Sequence, residues 1–247
     1  MEQQNTLVFL ITGFLDAGKS TFIRDLLVEQ RFTEDEKTLL ILTEEGEEEF
    51  DEKELARVNV DLVTVEDQEE FTTEFLENCQ GYYRPRYVFI EYNGMWKMDD
   101  ILEMDLPEHW IMNQVVTMVD ATTFDSYLAN MKPLLFDIFS VSEMIFFNRC
   151  TEDMPLPSYR KSIRAVNRRV QIGFEDMEGM PMDIGKEELP YDINAEVIEV
   201  SDEDFGTFYI DMLDEPEKYE NKMVSFKGKV YKSKVTVSDG YVSSCAG

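Results

Sequence analysis

Histidine is nearly absent from this 247-residue chain, which carries only His109, and its three cysteines (Cys79, Cys150 and Cys245) lie far apart. A thiolate-plus-imidazole metal site of the kind zinc favours cannot be assembled within one subunit from neighbouring residues. Without paired cysteine spacing no disulfide framework is indicated, which fits a reducing compartment, and the expected location is the cytoplasm. Basic residues are also scarce: 23 Lys and Arg stand against 52 Asp and Glu, a formal charge of −29. Such a surface repels nucleic acid and anionic lipid, so neither is expected as a partner. No apolar run approaches the ~18 residues of a membrane span. The opening Met1-Glu2-Gln3-Gln4-Asn5 lacks the basic start of a signal peptide, so none is expected.

What is present is a globular composition. Hydrophobic residues make up 43% of the chain and aromatics 12%, too much for wholesale disorder. Leu7–Thr12 is a continuous apolar run with β-branched members, as expected of a parallel strand buried on both faces. Ser20–Glu29 follows a glycine-bounded turn and carries apolar residues at 22, 23, 26 and 27, a helical stripe. Further strands are predicted at Thr38–Leu42, Val60–Val65, Tyr87–Ile90, Val115–Val119 and Met144–Phe147. Helices are predicted over Gln68–Asn78, Thr122–Met131 and Ser158–Arg168. Strands alternating with helices predict an α/β fold, a parallel-rich sheet flanked by helices on both faces.

The tail differs. Gly179, Pro181, Gly185 and Pro190 punctuate a polar stretch, and a boundary is expected within 175–205. We divide the chain into a nucleotide-binding domain over 1–190 and a small β-rich extension over 191–247. Within the extension a strand (Glu196–Val200), a helix (Asp204–Leu213) and an alternating strand (Met223–Tyr231) are predicted.

Gly13-Phe14-Leu15-Asp16-Ala17-Gly18-Lys19-Ser20 matches G-x-x-x-x-G-K-[ST] and sits between a buried strand and a helix, where phosphate chemistry needs it. The glycines let the loop fold tightly round an anion, and inward-facing amides with the helix N-terminus present partial positive charge. Lys19 is expected to reach the β- and γ-phosphates, the Ser20 hydroxyl to bind Mg²⁺, and Thr21 to contact the α-phosphate. Asp16 and Ala17 complete the cradle. Later strands end in Thr43-Glu44-Glu45-Gly46-Glu47 and Glu91-Tyr92-Asn93-Gly94. Strand-end carboxylates such as Glu44 and Glu91 can hold Mg²⁺ or its water shell, and Gly94 can offer its amide to the γ-phosphate. Val119-Asp120-Ala121 and Phe147-Asn148-Arg149 follow.

This ordered set resembles the CobW-like P-loop GTPases of the CobW/HypB/UreG group, relatives of the nickel-insertion GTPases for urease and hydrogenase. The resemblance covers roughly residues 5–155, on Gly13–Ser20, on Glu44, Gly46 and Glu47, on Glu91 and Gly94, and on Val119–Ala121. It implies GTP and Mg²⁺ as cofactors, Zn²⁺ as a further candidate, and work in metal homeostasis or metallocofactor insertion. It also implies a protein partner or metalloprotein client, with a homo-oligomer possible. Glu47, from its place in the switch-like segment, is the candidate that acts on water. Three departures stand beside it. Asn148 opens the family's base-reading motif, but Arg149-Cys150-Thr151 follow, with acids only at Glu152 and Asp153, so guanine over adenine is open. The Cys-x-Cys-Cys site is missing, since residues 48–78 hold no cysteine. The usual histidine-rich C-terminal half is missing or replaced.

Residues 44–54 place eight carboxylates in eleven positions, either for a hard cation or as a solvated acidic loop. The tail from Asp214 to Tyr231 resembles the start of an OB-like barrel, whose five strands would not fit before Gly247. Lys222, Lys227, Lys229, Lys232 and Lys234 read as strand-edge lysines, and Arg160, Lys161, Arg164, Arg168 and Arg169 as a solvated helix face. The leading expectation is a slow Mg²⁺-dependent GTPase. The alternatives are a nucleotide-switched adaptor with little hydrolysis, and a small-molecule kinase, for which residues 30–80 offer only Arg31 and Arg57 as lid arginines.

Overall fold

The computed structural model describes residues 5–44, 50–184, 189–202 and 204–228. Two compact units divide the chain, Met1–Ile184 and Gly185–Gly247. The first is built on seven parallel strands: β1 (Thr6–Thr12), β2 (Thr38–Leu42), β3 (Val60–Thr64), β4 (Tyr87–Glu91), β5 (Trp110–Asp120), β6 (Met144–Asn148) and β7 (Gln171–Phe174). Their order across the sheet is β3-β2-β4-β1-β5-β6-β7. The chain leaves β1, builds outward on one side through β2 and β3, and returns to insert β4. It then crosses over β1 and builds outward through β5, β6 and β7. The carboxyl end of β1 is thus the switch point where an α/β sheet opens a crevice for ligand.

Alternation along the strands separates two apolar layers. Phe9, Ile11, Leu40, Phe89 and Met118 face one side, where Ile23 and Leu27 of the first helix and Leu55 cover them. Val8, Leu10, Leu39, Ile41, Val88 and Ile90 face the other, against Leu76, Ile101, Phe124, Ile138 and Phe139. A sheet covered on both faces needs near-continuous apolar strands, which these are.

Helix α1 (Lys19–Arg24) continues as a π-helical segment over Asp25–Glu29, so the predicted helix is right in extent but not wholly α in winding. Then come α2 (Glu52–Arg57), α3 (Thr73–Tyr83), α4 (Met98–Leu102), α5 (Phe124–Asn130), α6 (Lys132–Val141) and α7 (Leu156–Arg164). Helix α3 starts later than predicted because Thr72 caps it, its hydroxyl accepting from Phe75 N at 3.2 Å. Part of the acidic run has a local use as well. Asp51 accepts from Lys53 N and caps α2, and Glu52 and Glu54 lie in that helix's first turn, where its dipole favours anions. Sequence reading passed over α2, α4, α6 and β7.

In the second unit β8 (Val197–Glu199) and β9 (Met223–Ser225) pair in parallel, with α8 (Phe205–Asp214) between them in sequence. Parallel neighbours need such a crossover. Its core is Tyr191, Ile198, Val200, Phe208 and Tyr219. The Tyr191 and Tyr219 hydroxyls lie 2.7 Å apart, and Tyr219 donates to Asp211 at 2.6 Å. Lys229, Lys232 and Lys234 lie outside the described residues.

Candidate functional site

The loop between β1 and α1 occupies the switch point. Gly18 begins α1 at φ 86, a left-handed conformation unfavourable to any residue with a Cβ. Gly94, just beyond β4, lies so close to the loop that a Cβ there would sit 2.3 Å from the Gly13 carbonyl oxygen. On the other side a Cβ at Gly13 would sit 2.3 Å from the Met118 carbonyl oxygen of β5, so both strand neighbours of β1 contribute directly to the loop's walls. Leu15 and Asp16 form its exposed tip, and Asp16 takes a positive φ of 60.

Lys19 is 3% exposed. Its ammonium donates to the carbonyl oxygens of Gly13 at 3.0 Å and Phe14 at 2.9 Å, and forms an ion pair with the Glu44 carboxylate. A lysine this deeply buried needs such partners, since an unpaired charge in a dry site is costly. Ser20 Oγ donates to Glu91 Oε1 at 2.8 Å, and Glu91 is itself 3% exposed. Thr43 joins the ends of β2 and β4. Its hydroxyl donates to the Glu91 carbonyl at 3.0 Å and accepts from Asn93 N at 2.8 Å, and its own amide bonds the same carbonyl.

On the other flank, Asn148 Nδ2 donates to the Ala17 carbonyl at 2.8 Å. Arg149 donates to the Asp16 carbonyl at 3.0 Å and to Asp120 at 2.6 Å, tying the loop tip to the ends of β5 and β6. Asp120 also accepts from the amide and hydroxyl of Thr122 at 2.8 and 2.6 Å. Thr151 donates to Asp153 at 2.5 Å, and that bond holds the Asp153 carboxyl below its ordinary value.

The structure thus brings Gly13, Asp16, Ala17, Gly18, Lys19, Ser20, Glu44, Glu91, Gly94 and Asn148 to one sheet edge, with Thr21 half-buried in the first turn of α1. Glu47 and Gly46 lie outside the described residues. Sequence reading quoted Thr43, Asp120 and Arg149 within motifs but gave none of them a role, since their bonds depend on strand ends that only the fold makes adjacent. A narrow apolar pocket lined by Phe14, Val119, Phe124 and Tyr127 lies against the loop. Neither Lys19 nor Ser20 lines it, so it suits packing rather than phosphate.

Nowhere among the described residues do three or more His, Cys, Asp and Glu gather to hold a metal ion. Cys79 and Cys150 are buried, and burial pushes both thiols up to about 11, which makes them poor nucleophiles. His109 turns the chain into β5 at φ 72, and its carbonyl accepts from Thr6 N at 2.8 Å. No helix among the described residues is long and apolar enough to cross a membrane.

A parallel sheet with a glycine loop at its switch point, a buried loop lysine and carboxylates on adjoining strand ends defines the P-loop class of nucleotide-binding proteins. Within that class the family model of the CobW/HypB/UreG nucleotide-binding domain matches residues 7–172, and the chain belongs to that family. The fold is also that of the hydrogenase maturation factor HypB from Archaeoglobus fulgidus, at TM-score 0.53 and 18% identity over 70% of this chain and 82% of that one. The Zn(II)-bound YjiA GTPase from E. coli matches at TM-score 0.56 and 21% identity over 74% of this chain. The match spans 61% of the YjiA chain. No curated protein matches in sequence.

Proposed function

We propose that this chain is a Mg²⁺-dependent nucleoside triphosphatase, a slow GTPase of CobW type. The observation that carries the reading is the Lys19 ammonium, buried at a strand tip in a strongly acidic chain and surrounded by loop carbonyls and the Glu44 carboxylate. Gly13, Asp16, Ala17, Gly18, Lys19, Ser20 and Thr21 enclose the phosphates, Gly94 borders the γ-phosphate, and Asn148 meets the base. Lys19 neutralises charge as the terminal phosphoryl group leaves, and the loop amides do so without reorganising. Among the described residues the oxygens offered to a cation are Ser20 Oγ and the carboxylates of Glu44 and Glu91. An all-oxygen set of this kind fits a hard divalent ion such as Mg²⁺. Bound there, the ion would neutralise charge on the β- and γ-phosphate oxygens. Glu47 remains the candidate for orienting water.

The family supports work in metal homeostasis or metallocofactor insertion, in the cytoplasm, with a client protein. Residues 1–190 would form the catalytic domain and 191–247 an accessory one. A second reading, a nucleotide-switched adaptor, rests on the sequence, in which residues 48–78 hold no cysteine and His109 is the single histidine. Release of γ-phosphate from GTP by wild-type protein and by Lys19→Ala tests the proposal. Turnover confined to the wild type is expected, and equal release from both removes it. Tight, stoichiometric zinc binding in the presence of GTP would favour metal delivery over the adaptor.

A further inference from the structure

We infer that Glu44 is a specificity residue of this site: it guards Lys19 against free nucleotide and admits the nucleotide only as its complex with a divalent cation. The inference rests on the nucleotide reading above.

A lysine ammonium has three N–H donors and no more. At Lys19 all three have oxygen partners: the carbonyls of Gly13 and Phe14 and the carboxylate of Glu44. A phosphate oxygen can therefore reach the ammonium only by displacing one of them. The two carbonyls belong to the loop itself and are fixed by its fold. Glu44 comes from the end of β2, carries a full charge, and is the partner a phosphate would replace. Its side chain is only 10% exposed, so the displaced carboxylate stays near the site and faces the incoming anion in a poorly solvated setting. Free nucleotide meets a second anion close by. Leu42 is paired with Glu91 across β2 and β4, and Thr43 N bonds the Glu91 carbonyl, so Glu44 follows directly on a strand end joined to that of Glu91.

A divalent cation reverses the sign of this arrangement. Glu44 and Glu91 then face a cation rather than bare phosphate, with the Ser20 hydroxyl as the third oxygen. The carboxylate that obstructs free nucleotide favours the cation complex. Discrimination between the two forms of one ligand follows from a single side chain with two alternative partners.

The test is equilibrium binding of the fluorescent, non-hydrolysable analogue mant-GppNHp, titrated in EDTA and in Mg²⁺. Wild type, Glu44→Gln, Glu44→Asp and the control Glu108→Gln are compared, the Glu108 side chain being 90% exposed. In EDTA, Glu44→Gln is expected to bind roughly tenfold tighter than wild type, and its gain from Mg²⁺ to shrink by about the same factor. Glu44→Asp, whose shorter arm releases Lys19, should shift in the same direction and serves if the Gln variant does not fold. Unchanged affinity of both Glu44 variants in EDTA overturns the inference. So does an equal gain in Glu108→Gln, which would reduce the effect to general charge repulsion. If wild type binds the analogue in neither condition, the nucleotide reading falls and this inference with it.

Discussion

The Ser20 hydroxyl donates to Glu91 Oε1 at 2.8 Å, so the first turn of the helix after the phosphate loop is bonded to the neighbouring strand end, 71 residues later in sequence. In the function proposed above, one hard cation would be held here, with the hydroxyl as ligand and the carboxylate as ligand or acceptor from its water shell. Replacing Ser20 by Ala should lower nucleotide affinity in Mg²⁺ by roughly 10- to 100-fold, the worth of a bond to a charged group. Affinity in EDTA should change far less. Equal losses in both conditions would mean that Ser20 only supports the loop.

Gly94 makes a second, steric prediction. A methyl group there would meet the Gly13 carbonyl oxygen at 2.3 Å and the Phe14 nitrogen at 3.0 Å, both backbone atoms that cannot swing aside. Gly94→Ala should destabilise the protein by about 1–3 kcal/mol, as overpacking does, and weaken nucleotide binding by distorting the loop. Thermal unfolding and the same binding titration check this. Wild-type values for both would show that the loop yields freely.

Arg149 carries a third. Its guanidinium bridges the Asp16 carbonyl and Asp120, and the side chain is 40% exposed, so a modest effect is expected. Arg149→Ala should lose roughly tenfold in nucleotide affinity while melting near the wild-type temperature. Arg149→Lys, a point charge without the planar fork, should recover part of it. A loss of stability as large as the loss of binding would make Arg149 a general structural tie.

Alkaline pH supplies a fourth. Burial raises the thiols of Cys79 and Cys150 from 9.0 to about 11, and burial with a bond to Asp125 raises the Tyr159 hydroxyl from 10.0 to about 12. In each case the folded state prefers the protonated form, so the unfolded chain loses its protons first. The stabilisation is whole below about pH 9 and drains away as pH climbs through 11 to 12, by at most ~1.4 kcal/mol per pH unit for each group. Urea midpoints measured from pH 8 to 11 should be flat and then fall. A level profile throughout counts against these buried groups.

Much of the candidate site's layout could be read before the fold was known. Gly13, Gly18, Lys19 and Ser20 stand at the fixed spacing that a loop wrapped round an anion requires, and such spacing survives in sequence. Glu91 and Gly94 were legible because a buried strand leads into them. Thr43 was not, because its hydroxyl matters only once β2 and β4 lie side by side. The bond between Arg149 and Asp120 was hidden likewise, because each lies in a separate motif, 29 residues apart, and nothing local pairs them. Helix α6 did leave a signal, Pro133 at its start and apolar residues at 134, 135, 138 and 139. Strand β7, four residues with a glycine inside, left almost none.

The strand order also bears on how the protein is made. Strand β1 lies between β4 and β5, so the segment that leads into the phosphate loop is synthesised before both of its neighbours in the sheet and completed late. Until Trp110–Asp120 has emerged from the ribosome, one whole edge of β1 has no neighbour, and its amides and carbonyls are open to any other extended chain. A nascent chain halted before that point would be an aggregation hazard rather than a partly working enzyme.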